Sequence, residues 1–180
     1  MFDPIGTRIN LALAAMNAPP PGDTPELDRL FARLGAGGND REETERRIWT
    51  IWCSHESDAA ARAMHAAIVA IEASDFASAG KTLDRMVRRW PDWAEAWNKR
   101  ATLRFLEERD PDSLSDIIHT LEREPRHFGA LSGFGQICLR HGDMHSAVLA
   151  FERVLELNPY ASELRQTVEK MQKRVKRTVH

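Results

Sequence analysis

The sequence predicts an all-α protein, a short curved array of stacked helix pairs with a further helical region at each end. Three observations carry that reading. Pro91, Pro125 and Pro159 stand 34 residues apart within three related phrases, RRWPDWAEA, EREPRHFGA and ELNPYASEL, and self-similarity at such a period marks a repeat architecture. Between the prolines, apolar residues recur at helical spacing. Strand signals are nearly absent: the chain has one Tyr, and no stretch alternates between Val or Ile and polar residues.

Taken in order, residues 1–23 read as a flexible or targeting-like arm. The apolar run 9–16, INLALAAM, follows Arg8 and precedes Pro19-Pro20-Pro21-Gly22. It suits a short docking helix or a disordered arm with a stiff proline-rich link; as a secretory signal its core is short and its cleavage pattern loose. Residues 24–59 carry an amino-terminal helix pair. Thr24-Pro25 supplies a cap and a first-position proline, Leu27, Leu30, Phe31 and Leu34 make the apolar stripe, and residues 35–38 stop it. Residues 40–43 have capping-box spacing and start a second helix rich in Ile48, Trp49, Ile51, Trp52 and Cys53. This pair is expected to be a degenerate fourth repeat or a cap whose tryptophans cover the open end of the stack.

Three units follow, at 60–93, 94–127 and 128–161. The third is the clearest: Leu131, Phe134, Gly135 and Cys138 share one helix face, Gly142-Asp143 breaks the period, and Ala147, Phe151, Val154 and Leu155 form a second stripe. One period earlier, Trp97 falls on Leu131, Ala101 on Gly135 and Ile117 on Phe151; two periods earlier stand Ala63, Ala67 and Leu83. Small residues at Ala67, Ala101 and Gly135 let paired helices approach closely. Each proline disfavours helical backbone in the residue before it, so each second helix stops at a defined point and the pairs stack with a repeated rotation. Trp97 is expected in the core, with Trp90 and Trp93 packed around Pro91. Residues 162–180 form a basic capping helix, with Arg165, Lys170, Lys173, Arg174, Lys176 and Arg177 against Glu163 and Glu169. Its stripe of Leu164, Val168, Met171 and Val175 would cover the last unit.

The third unit resembles a tetratricopeptide repeat, through Leu131, Phe134-Gly135, Ala147, Phe151 and Pro159. The first unit keeps Ala67, Ala79, Leu83 and Pro91. The second keeps Trp97, Ala101, Ile117 and Pro125 but has Arg100, Arg104 and Ser113 where that family usually has apolar, large aromatic and small residues. The resemblance implies a right-handed α-α superhelix, a short solenoid with flanking capping helices.

The totals narrow the function. With 42% apolar and 29% charged residues and a net charge of −2, the chain has an ordinary globular composition and no polyanion-binding signature; nucleic acid is not an expected partner. Cys53 and Cys138 sit in separate apolar contexts without metal-ligand spacing, which fits a reducing compartment. The expected location is cytoplasmic, or periplasmic or exported if the run 9–16 is a signal remnant; no run reaches the length of a membrane span. His141-Gly142-Asp143-Met144-His145 reads as a plain turn, since two histidines lack a third ligand. Ser54-His55-Glu56 cannot form a hydrolase triad, because adjacent residues on a helix point apart. No phosphate loop, paired zinc histidines or dinucleotide fingerprint is present, so no enzyme, cofactor or metal site is expected.

The resemblance therefore implies a non-enzymatic adaptor that binds another protein along the concave face of its first helices. Carried over residue by residue, the groove takes Met64 and Ile68 from the first unit, Asn98, Lys99, Thr102 and Phe105 from the second, and Ser132, Gln136 and Arg140 from the third. One subclass of the family clamps a chaperone's terminal carboxylate. Its five donor positions fall here on Met64, Ile68, Lys99, Gly129 and Gly133, none of which matches, so that mechanism is not expected. The alternative is a structural subunit that assembles through its convex face or end helices.

Overall fold

A computed structural model of the protein describes residues 4–22 and 24–178, with side chains for 5–22 and 24–174. Among the described residues there are ten helices and no strand: α1 Pro4–Met16, α2 Pro25–Ala36, α3 Arg41–Cys53, α4 Asp58–Glu72, α5 Phe76–Arg89, α6 Ala94–Leu106, α7 Asp110–Arg123, α8 Phe128–Arg140, α9 Met144–Leu157 and α10 Ser162–Thr178. The pairs α4–α5, α6–α7 and α8–α9 stack successively side by side, and α10 packs on α9. Val168 and Met171 of α10 are buried, as its stripe requires; the side chains of Val175, Lys176 and Arg177 lie outside the described residues.

The repeat is visible in the backbone as well as the sequence. Bounds of α5, α7 and α9 recur every 34 residues, and so do the residues with left-handed backbone in the turn of each pair: Ser74 and Glu108 at φ 59° and Gly142 at φ 77°. Glycine takes that conformation without the steric cost a Cβ brings, so the third turn is the least strained. Asp75 and Asp143 cap α5 and α9 by accepting from the Ser78 and Ser146 amides at 3.1 and 3.0 Å, satisfying orphan donors of the first turn.

The middle unit's departures from the family pattern compensate one another. Arg100 clasps Asp116 of α7 through Nε and Nη2 at 2.9 and 2.8 Å and reaches Asp84 of α5 at 2.8 Å. Arg104 adds a contact to Asp116 at 2.8 Å, and the buried Ser113 hydroxyl donates to the Ala101 carbonyl at 2.8 Å. Three polar substitutions thus tie α5, α6 and α7 together. Trp97, expected in the core, is only partly buried: its indole N–H donates to the Pro91 carbonyl at 2.7 Å, and its ring lies against His119, Arg100 and Arg123.

Of the two forms expected for the amino-terminal run, docking helix or disordered arm, residues 4–16 take the first: Ile9, Ala12 and Met16 are buried, and α1 packs chiefly along α7 while reaching α8 and α9. The α2–α3 pair neither continues the stack nor lids its open end. It lies across the turns between units, as a strap. Near Cys53, the Trp52 carbonyl accepts from the Trp93 indole at 2.8 Å; mid-helix, Trp49 and Trp52 pack on His127 and Phe128; towards the start, Glu45 accepts from Asn158 at 3.1 Å and Arg41 stands over Tyr160. Arg126 joins the strap from the second turn, pairing with Asp28 at 2.6 Å and Glu124 at 2.8 Å. Neither predicted strap cap is made by its side chain. The Thr24 hydroxyl instead accepts from Arg126, and Asp40 pairs with Arg33.

Beneath the strap lies a polar knot. Glu95, in the first turn of α6, and His127, at the head of α8, are both completely buried and meet at 2.8 Å. The Nδ1 of His127 accepts from the Ala130 amide at 3.2 Å, so Nε2 carries the proton and donates it to Glu95. Asn98 and Lys99 add bonds at 2.9 and 3.0 Å, and Trp52 stacks on the imidazole with centroids 4.1 Å apart. Burial alone would raise the Glu95 carboxyl. The bonds from His127 and Lys99 and the Lys99 charge oppose it, and the group is held below its ordinary value.

Two tests follow from this packing. A Cβ at Gly135 would lie 2.6 Å from the Phe151 ring, so Gly135→Leu is expected to cost about 1 to 3 kcal/mol through overpacking, against a gain in helix propensity somewhat under about 1 kcal/mol; equilibrium denaturation with no loss would refute the close contact. Because the Glu95 carboxyl is held below its ordinary value, its contribution is present above the unfolded value and is lost as pH falls through the folded one. Acid titration should show the wild type losing stability there, while Glu95→Gln begins less stable and stays flatter; equal slopes would contradict the assignment.

Candidate functional site

The first helices of the second and third units, α6 and α8, form the walls of a slot, with α7 beneath. Its volume is about 190 Å³. Asn98, Thr102 and Phe105 stand on the α6 wall, and Ser132, Gly133 and Gln136 on the α8 wall; Ala101, Ser113 and Ile117 contribute from deeper in the stack. Because α6 and α8 have the same length and are offset by one period, residues at equivalent positions stand side by side along the slot: Asn98 with Ser132, and Thr102 with Gln136.

Five of the nine residues expected from the sequence therefore line one pocket. Thr102 and Gln136 are exposed and Ser132 partly so. Two hydroxyls are engaged locally, Thr102 with the Asn98 carbonyl at 3.0 Å and Ser132 with the Phe128 carbonyl at 2.7 Å, which leaves their oxygen lone pairs facing the slot. Asn98 is buried, and its amide N–H is committed to Glu95.

The other four depart from expectation. Met64 is buried in the core of the first unit and Ile68 packs against that core, because the alanine-rich α4 offers few other large side chains to fill it. Lys99 is drawn to Glu95 and lies beside the Trp49 ring. Arg140 stands over Phe105 at 4.0 Å and pairs with Asp110 at 2.7 Å, so one face of Phe105 is already covered. His141 holds the other Asp110 oxygen at 2.8 Å.

Trp49 sits against Gly129, which also lines the slot. A Cβ on Gly129 would lie 2.7 Å from its ring; the missing side chain is what lets the strap sit there. The sequence carries one faint signal of the knot beneath, the grouping of Glu95, Asn98 and Lys99 at helical spacing, and none for the recruitment of His127 or Trp49. Burial pushes the Cys53 thiol up to about 11 and the Cys138 thiol to about 12, leaving both protonated and poor nucleophiles near neutral pH. Among the described residues no cluster of three metal-ligating side chains occurs, and no helix is long and apolar enough to cross a membrane.

No family model matches the sequence. A TPR repeat-containing protein of Rhizobium etli is 37% identical over 135 residues, a stretch covering 74% of this chain and 66% of that relative; the chain thus spans just under two thirds of the relative's length. Among solved structures, the TPR2B domain of yeast Sti1, in its complex with pHsp70, superposes with a TM-score of 0.58 at 21% identity, covering 66% of this chain and 99% of that one. The likeness in structure establishes the shared fold, and the likeness in sequence the descent. With its repeated turns, its Gly135–Phe151 contact and its stacked pairs, the chain belongs to the tetratricopeptide repeat family, a family of protein-interaction repeats.

Proposed function

We propose that this protein is a non-enzymatic adaptor that holds an extended segment of another protein in the slot between α6 and α8. The repeats are 60–93, 94–127 and 128–161, with 24–59 as a strap and 162–180 as the cap. The observation carrying this reading is the slot itself: polar groups at Thr102, Gln136 and Ser132 above a floor of Ala101 and Ile117. Such walls can meet peptide amides and carbonyls while the floor receives one small apolar side chain. The yeast neighbour was solved as a complex with pHsp70, which supports the use of this fold to hold another chain.

The segment's terminal carboxylate is not the feature recognised. Of the five clamp positions, Met64 is buried, Lys99 is spent on Glu95 and Gly129 lies under Trp49; Ile68 and Gly133 offer no donor. A segment passing through, with both ends free, fits this chemistry better.

Gly133 gives a clean test. A Cβ there would meet only Ile117, at an ordinary 3.6 Å, so Gly133→Leu should fill the slot without breaking the stack. The expected outcome is unchanged or slightly raised thermal stability together with loss of partner binding, read by heteronuclear NMR titration. Thr102→Ala with Gln136→Ala should weaken binding by about tenfold or more, since each lost hydrogen bond is worth about 1 kcal/mol. Shifts confined to the outer helices, or full binding by Gly133→Leu, would reject the slot and favour a structural subunit.

A further inference from the structure

The first unit has a hollow that the second unit fills with its own side chain. Ala63 stands one period before Trp97, Arg85 before His119 and Arg89 before Arg123. In the second unit the Trp97 indole occupies the cleft between its two helices, 4.3 Å from the His119 ring and 5.3 Å from the Arg123 guanidinium. In the first unit, with alanine at that position, the equivalent cleft is an open hollow of about 440 Å³ lined by Ala59, Ala63, Met86 and Trp90. Among the described residues no other helix lines it.

The rim is charged on one side only. Arg85, Arg88 and Arg89 line the hollow with Thr82, and no carboxylate does. None of the three makes an ion pair among the described residues, whereas Arg100, Arg104, Arg126 and Arg140 elsewhere in the array each hold a carboxylate. Arg89 already lies 5.2 Å from the Trp90 ring, an arrangement that favours a further aromatic face.

We propose that this hollow docks an aromatic side chain carried on an acidic segment of a partner protein. The ring takes the place that Trp97 takes one unit later, against alanine and methionine and beside Arg89. The flanking carboxylates meet Arg85 and Arg88. A docked ring contributes apolar burial and specificity, while the arginines steer and orient the acidic chain. The surface is separate from the slot between α6 and α8, so the protein has two docking sites for protein segments.

The test uses a synthetic peptide with one central tryptophan flanked by glutamates, an otherwise identical peptide with alanine in its place, and a single-stranded oligothymidylate. Fluorescence anisotropy should show the tryptophan peptide binding at least about tenfold more tightly than the alanine peptide, with NMR shifts confined to α4 and α5. Ala63→Trp, which fills the hollow from within, should abolish binding; so should Arg85→Glu with Arg89→Glu, a second route should the first variant fail to fold. Gly133→Leu should bind the peptide as the wild type does, which separates this site from the slot. Equal binding of the two peptides, tighter binding of the oligonucleotide, or shifts in α6 and α8 would overturn the proposal. Self-association that disappears in Ala63→Trp would assign the hollow to a second copy and overturn it equally.

Discussion

The buried Glu95 carboxylate is the constraint from which the arrangement of this array follows. A carboxylate removed from water is costly by several kcal/mol unless it is fully bonded, and Glu95 is satisfied only when α6, α8 and α3 are all in place: His127 comes from the head of α8, Asn98 and Lys99 from its own helix, and Trp52 of the strap closes over the imidazole. Hydrophobic stacking alone tolerates small slides between neighbouring pairs. A buried polar knot does not, because a displacement of one or two ångströms would leave a charge unpaired. The distance between the two walls of the slot is set at this point.

The strap explains why this short array can be ordered at a cost in open surface. A solenoid of three pairs has two ends and a long edge of turns. Here α10 covers one end, and α2–α3 spends its apolar face on the edge, reaching all three turns through Trp52, Trp49 and Arg41. The other end stays open. The core divides accordingly: the first unit, with Trp93, Ala96 and Leu103, forms one apolar cluster, and the second and third units share another with α1, α2 and α3.

Much of the fold could be read from the chain because repeats report the same physics three times. Pro91, Pro125 and Pro159 end helices by local sterics, and Gly135 declares a close contact by what it lacks; neither depends on distant sequence. The slot was legible for the same reason, since Thr102 and Gln136 follow from register alone. What escaped were pairings between distant segments. Nothing about Trp49 says that it will seat on Gly129, some 80 residues away, and the capping signals at Thr24 and Asp40 were outcompeted by Arg126 and Arg33. Phe105 follows from register too, but the cation over one of its faces comes from the next unit and does not.

The central claim is that one knot beneath the strap holds both walls of the slot. Amide hydrogen exchange on wild type and Trp52→Ala, measured helix by helix at neutral pH, tests it most directly. The account predicts that protection falls together in α3, α6 and α8 while α4 and α5, which pack in the separate cluster, keep theirs. Loss confined to α3, with α6 and α8 as protected as before, would contradict it.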